Sequence, residues 1–177
     1  MDPFSLTFNA LWDLVDASAP LTELIKPGNK IKTNHPTNRD PLKDSVQVGD
    51  LPELVLSTMG SAESNFNANS CTTKIQRTYT WILSTGDFRT NYTLFPVQFA
   101  LFCAMTNWKN SLLQLEWNGV RFIKLAAMAG MTEGVSNPEQ NRGIEGWSSL
   151  WGCSVDMYLP TEMLIAYNGA LAKNVKG

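Results

Sequence analysis

The segment from Leu94 to Leu115, LFPVQFALFCAMTNWKNSLLQL, limits the fold more than any other stretch. Val97, Leu101, Ala104, Trp108, Leu112 and Leu115 recur at steps of three and four, so they share one helical face. Phe95, Phe99, Phe102 and Met105 make a second stripe beside the first. A helix apolar over so wide an arc is expected to be covered on more than one side. Pro96 suits its first turn, where a missing N–H costs no hydrogen bond, and Asn118-Gly119 turns the chain beyond it. The expectation is one central helix with two strands before it and two after it.

Alternation marks the strands. Between Thr72 and Ser84, Ile75, Tyr79, Trp81 and Leu83 alternate with Lys74, Gln76, Thr78 and Thr80, the period of an antiparallel strand packed on one face. Arg77 falls in the apolar register, so it lies at the end of the core or meets a carboxylate. Trp151, Cys153, Val155, Met157 and Leu159 repeat the pattern up to Pro160. Leu51–Met59 and Val120–Met131 read as the two remaining strands. Upstream, Asp2 or Ser5 caps a first helix with Phe8, Leu11, Trp12, Val15 and Ala19 on one face, which Pro20 interrupts, and Leu21, Leu24 and Ile25 add a short second turn before Pro27-Gly28. The order is α-β-β-α-β-β. This is an α+β class, with an antiparallel or mixed sheet of about four strands packed against a central and an N-terminal helix.

The connections are long and polar. Residues 27–50 hold Lys30, Lys32, Arg39 and Lys43 and little to bury. They read as a solvated loop or as an arm toward a neighbouring subunit. Residues 60–71 and 132–146 read as polar hairpin loops, the second carrying Glu133, Glu139, Arg142 and Glu145. The tail, residues 161–177, holds one or two amphipathic turns.

A chain of 177 residues with 44% apolar content suits a single domain with a full core. A net charge of −2 argues against general nucleic-acid binding. The longest apolar run, Phe99–Met105, is too short to span a bilayer, and Asp2 stands where a signal peptide carries positive charge. Neither secretion nor a membrane anchor is expected. Three widely spaced cysteines, Cys71, Cys103 and Cys153, fit a reduced cytosolic protein, with Cys103 expected in the core.

The search for chemistry finds little. The one histidine, His35, lies in the 27–50 connection, away from any nucleophile. Zinc-ligand spacing, a Walker loop and GxGxxG are all lacking. Asp13 and Asp16 share the solvated face of the first helix. Asn91-Tyr92-Thr93 is a glycosylation triplet without meaning in an unsecreted chain. Of the tryptophans, Trp81, Trp108 and Trp151 fall in core registers, whereas Trp117 and Trp147 sit beside turns and Trp147 suits an interface. No catalytic residue, metal or cofactor is expected.

Taken together, a leading helix, a long connection entering the first strand through Leu51-Pro52-Glu53-Leu54-Val55, a strand pair, a central helix ending in Trp-Lys-Asn-Ser-Leu-Leu and a final strand pair resemble the tail terminator proteins of long-tailed bacteriophages. The resemblance is one of layout over residues 5–160. It implies a non-enzymatic virion subunit, at the tail end or neck and assembled in the host cytoplasm. Such subunits form a homo-hexameric ring that ends tail-tube growth and then presents a surface to the head–tail connector. Its partners would be other copies of itself, the tail tube protein and the connector. Contacts are expected from Lys30, Lys32, Glu133, Glu139, Arg142, Glu145 and Trp147. The alternatives are another neck or tube part on a related fold and a small cytosolic enzyme.

Overall fold

The computed structural model describes residues 1–33, 52–57, 62–65, 70–85, 94–106, 111–135 and 147–174. The chain is an α+β fold, as the alternation of helical and strand periods implies. Helix α1 spans Pro3–Asp16. Asp2 caps it: its carboxylate accepts from the Ser5 N–H at 2.9 Å and from the Ser5 hydroxyl at 2.7 Å, satisfying a donor that the first turn leaves open. Pro20 does not merely interrupt. It occupies the first turn of a second helix, α2, Ala19–Leu24, where proline is favoured.

Six strands form the main sheet: β1 (Lys30–Thr33), β2 (Glu53–Ser57), β3 (Ala62–Asn65), β4 (Thr72–Thr85), β7 (Ile123–Val135) and β8 (Trp147–Pro160). Their order is β1-β2-β4-β8-β7, with β3 beside β4. Strands β2 and β3 lie along the same edge of β4, at Thr80–Ser84 and Lys74–Arg77 respectively. Strands β4 and β8 pair antiparallel over all 14 residues, a length of ~46 Å. Among the described strands, only β1 and β2 pair in parallel. A short hairpin, β5 (Glu116–Trp117) and β6 (Val120–Arg121), precedes β7. Its turn places Asn118 at φ 48° and Gly119 at φ 78°, the paired positive values of a two-residue hairpin turn. Helix α3 spans Leu94–Thr106, and α4, Thr161–Asn174, follows β8 directly.

One core unites these layers. Phe8, Leu11 and Val15 of α1, Leu21 and Ile25 around α2, and Val97, Leu101 and Met105 of α3 join Tyr79, Trp81, Val155 and Met157 from the sheet. The contacts are specific. Phe8 packs on Tyr79 with ring centroids 6.2 Å apart, and Trp12 stacks on Trp81 at 6.5 Å. Tyr79 donates its hydroxyl to the Phe4 carbonyl at 3.1 Å. Arg77 meets no carboxylate among the described residues; its guanidinium lies over the Phe4 ring at 4.8 Å, a cation–π contact that keeps the charge at the core's margin. At the other end of β4, the Thr161 hydroxyl meets that of Thr73 at 3.0 Å and donates to the Ser70 carbonyl at 2.8 Å, joining the start of α4 to the sheet.

Several sequence expectations are corrected here. The 27–50 connection opens with a turn of 3-10 helix, Pro27–Asn29, and then β1. Four polar-leaning residues carry no readable period, and their parallel partner lies more than 20 positions away. The polar stretch 60–71 contains β3, whose Ala-Glu-Ser-Asn sequence has little strand propensity and extends only because the edge of β4 pairs with it. The 132–146 loop begins later than expected, since β7 continues to Val135 and β8 starts at Trp147. The central helix ends at Thr106, and Leu112 is buried in a 3-10 turn instead; Trp108 lies outside the described residues. Val120–Met131 is broken at Phe122, whose carbonyl accepts from the Tyr158 N–H at 2.7 Å. The tail forms a helix of 14 residues.

On the sheet face turned away from Tyr79 and Trp81, Asp156 accepts from Lys74 at 2.8 Å and from Gln76 at 2.8 Å. The Lys74 hydrogen bond holds the Asp156 carboxyl below its ordinary value of 3.8, against the opposing effect of burial. A carboxyl with a lowered folded pKa binds fewer protons folded than unfolded, so its stabilisation is present above the ordinary value and is lost as pH falls through the folded one. Urea unfolding at about pH 6 and about pH 3 is therefore expected to show a smaller acid loss for Asp156→Asn than for the wild type. Equal losses would contradict the pairing.

Candidate interaction surface

Helix α3 carries no charged residue from Leu94 to Thr106. Its inner side is buried as expected at Val97, Leu101, Ala104 and Met105. Met105 comes from the second stripe, but the three phenylalanines of that stripe are not buried. Phe95 is 64% exposed, Phe99 68% and Phe102 46%, so the expectation that Phe99 and Phe102 belong to the core is wrong. Spacings of four and three place the three rings on one line along the helix, over ~10 Å at 1.5 Å per residue. Cys103, expected in the core, is exposed beside them. The physical reason is arc width. A helix lying on one layer buries only part of its circumference, and residues 95, 99, 102, 103 and 106 share the outer part.

Three rings exposed to this degree offer ~350 Å² of apolar surface, taking ~200 Å² for a whole aromatic side chain. That is within the range of the largest apolar patch on a monomeric protein, a patch that often serves a function. Next to the ridge lies a groove of about 670 Å³. The end of α1, the start of α2, the end of α3 and the following 3-10 turn enclose it. Ala10, Ala17, Ala19, Cys103, Ala104 and Ser111 line it together with the larger Leu14, Pro20 and Leu115, and Asp13 brings a carboxylate.

The residues expected to make contacts are placed otherwise. Lys30 pairs with Asp16 at 3.0 Å and its side chain is only 5% exposed, so it is closed to a partner. Lys32 stands in β1 opposite Leu56. Glu133 stands in β7 opposite Ser149, and Trp147 opens β8 opposite Val135 and Thr85. Strands β1 and β7 are at opposite edges of the sheet, so these residues form no single patch. Glu139, Arg142 and Glu145 lie outside the described residues, as does His35. Trp117, which sits beside a turn, is 4% exposed and meets Tyr167 of α4 edge-on at 5.7 Å.

The described residues offer little reactive chemistry. Among them, no three of His, Cys, Asp and Glu are grouped so as to hold a metal ion. Burial pushes the Cys153 thiol up to about 12, so it is not a thiolate at neutral pH. Both oxygens of Asp156 are engaged by Lys74 and Gln76. No helix among the described residues is long and apolar enough to cross a membrane. No family model matches the chain, and neither does any curated protein.

Proposed function

We propose that the chain is a structural subunit of a phage tail, a terminator whose copies close into a hexameric ring on the end of the tail tube and later meet the head–tail connector. The observation that carries this reading is the exposed phenylalanine line of α3, 46–68% open along a helix without charge. Such a surface costs solubility in a lone protein and is accounted for by assembly. The second face of the sheet supports it. Thr78 stands opposite Ser154, and Thr80 opposite Gly152, all half-buried, giving a hydroxyl-rich wall suited to line a passage. The layout likeness to tail terminators supplies the number of copies and the partners. A ring needs two different contact faces per subunit and no catalytic pocket.

The test is tube growth. Tail-tube subunits of the phage that carries this chain are polymerised with and without the protein. Added at a few copies per tube, it is expected to bind one end and stop elongation. Tubes that reach the same length distribution with it present would refute the terminator role.

A further inference from the structure

We propose that α4 is a hinged strap. Its first turn is fixed to the sheet, and the part beyond Leu164 unwinds and closes as a unit, latched by the edge-on contact of Tyr167 with Trp117. The inference rests on the fold alone and not on the ring reading. Hydrogen bonds at Thr161 make the anchor. Its N–H donates to the Cys71 carbonyl at 3.0 Å, and its hydroxyl donates to the Ser70 carbonyl at 2.8 Å and meets the Thr73 hydroxyl at 3.0 Å. Thr161 is buried, and Met163 and Leu164 pack partly buried against the core.

Beyond that turn the helix leaves the body. Every residue from 165 to 170 is exposed, and six consecutive residues at ~100° each go round the whole circumference. A Cβ added at Gly169 would meet nothing within 4 Å. Among the described residues, the one ring contact of this part is Tyr167 with Trp117, at 5.7 Å between centroids. The local sequence holds the segment no better. Asn168-Gly169 is a pair of the kind that ends helices, yet the helix runs on to Asn174. A glycine inside a helix costs about four- to fivefold in the helix-to-coil ratio against alanine. Ten residues follow Leu164, fewer than the roughly 12–15 an isolated helix needs in water. An edge-on pair of rings multiplies the closed-to-open ratio only about two- to tenfold. The strap therefore opens far more readily than the core, which opens only with the whole domain. Opening lifts Tyr167 from Trp117, which is 4% exposed when the strap is closed, and bares that side of the indole while the sheet stays paired.

Native-state hydrogen exchange of the dilute full chain, read residue by residue, tests this. Relative to unstructured chain, amides 167–174 are expected to exchange at least about a hundredfold faster than amides 79–83 in the middle of the sheet. Tyr167→Ser, which removes the ring at nearly equal helix propensity, should speed exchange at 167–174 by a further two- to tenfold or so and leave the melting transition unchanged. Tyr167→Phe, which keeps the ring, should match the wild type. Gly169→Ala should slow exchange there about four- to fivefold. The strap is overturned if amides 167–174 exchange as slowly as 79–83, since the helix then opens only with the whole domain. The latch is overturned if Tyr167→Ser exchanges like Tyr167→Phe. A Tyr167→Ser variant that loses protection at 79–83 and melts earlier would make the ring part of the core and overturn the proposal as well.

Discussion

Replacing Trp81 by alanine is expected to remove about 3–5 kcal/mol of folding stability, the largest single loss among the side chains of β4. Trp81 is fully buried, stacks on Trp12 at 6.5 Å and stands in register between Leu56 of β2 and Trp151 of β8. Its removal opens a cavity where α1, β2 and β8 meet, and packed elements collapse into such a space only in part. Because native domains are held by only about 5–15 kcal/mol, the variant should be near unfolding. Trp81→Phe should lose much less. The buried indole N–H has no hydrogen-bond partner among the described residues, so the smaller ring also removes an unsatisfied donor that costs about 1–3 kcal/mol. Urea unfolding followed by circular dichroism checks both. A Trp81→Ala loss below about 1 kcal/mol would contradict the packing.

The second expected result compares two neighbours on one helix. Leu101→Ala should cost about 2–5 kcal/mol, as for a fully buried leucine. Phe99→Ala should change stability by no more than about 0.5 kcal/mol, as for a surface position, because its ring is 68% exposed. Were α3 covered on all sides, both would be costly. Unfolding at a concentration too low for assembly isolates this difference. A loss above about 2 kcal/mol for Phe99→Ala would show that the ring is enclosed.

Much of the fold was legible because it rests on period. The alternation from Ile75 to Leu83 and from Trp151 to Leu159 located the two central strands, and burial of Tyr79, Trp81, Val155 and Met157 follows from it. The helix that starts at Leu94 was legible from its spacing and its proline, but its end at Thr106 was not, because Leu112 and Leu115 continue the apolar spacing beyond it. Strands β1 and β3 were not, because each owes its form to a partner far along the chain and not to its own residues. The tail helix was legible only as a turn or two, since its apolar residues do not gather on one face and Ile165 and Tyr167 remain exposed. The exposed ridge was hidden in plain composition. Phenylalanines at 95, 99 and 102 signal burial equally well inside a core and between subunits, and only the placement of α3 against α1 and α2 separates the two. Charged loops drew attention to Lys30, yet Asp16 already occupies it.

The most direct test of assembly through an uncharged aromatic surface is the mass of the protein in solution, measured across concentration, with and without tail tubes. The expected result is a steep passage from the 19.6 kDa chain to a single species of six copies, reached at lower concentration when tubes are present. A protein that stays at 19.6 kDa at high concentration and beside tubes would contradict the ring and its proposed place in the tail.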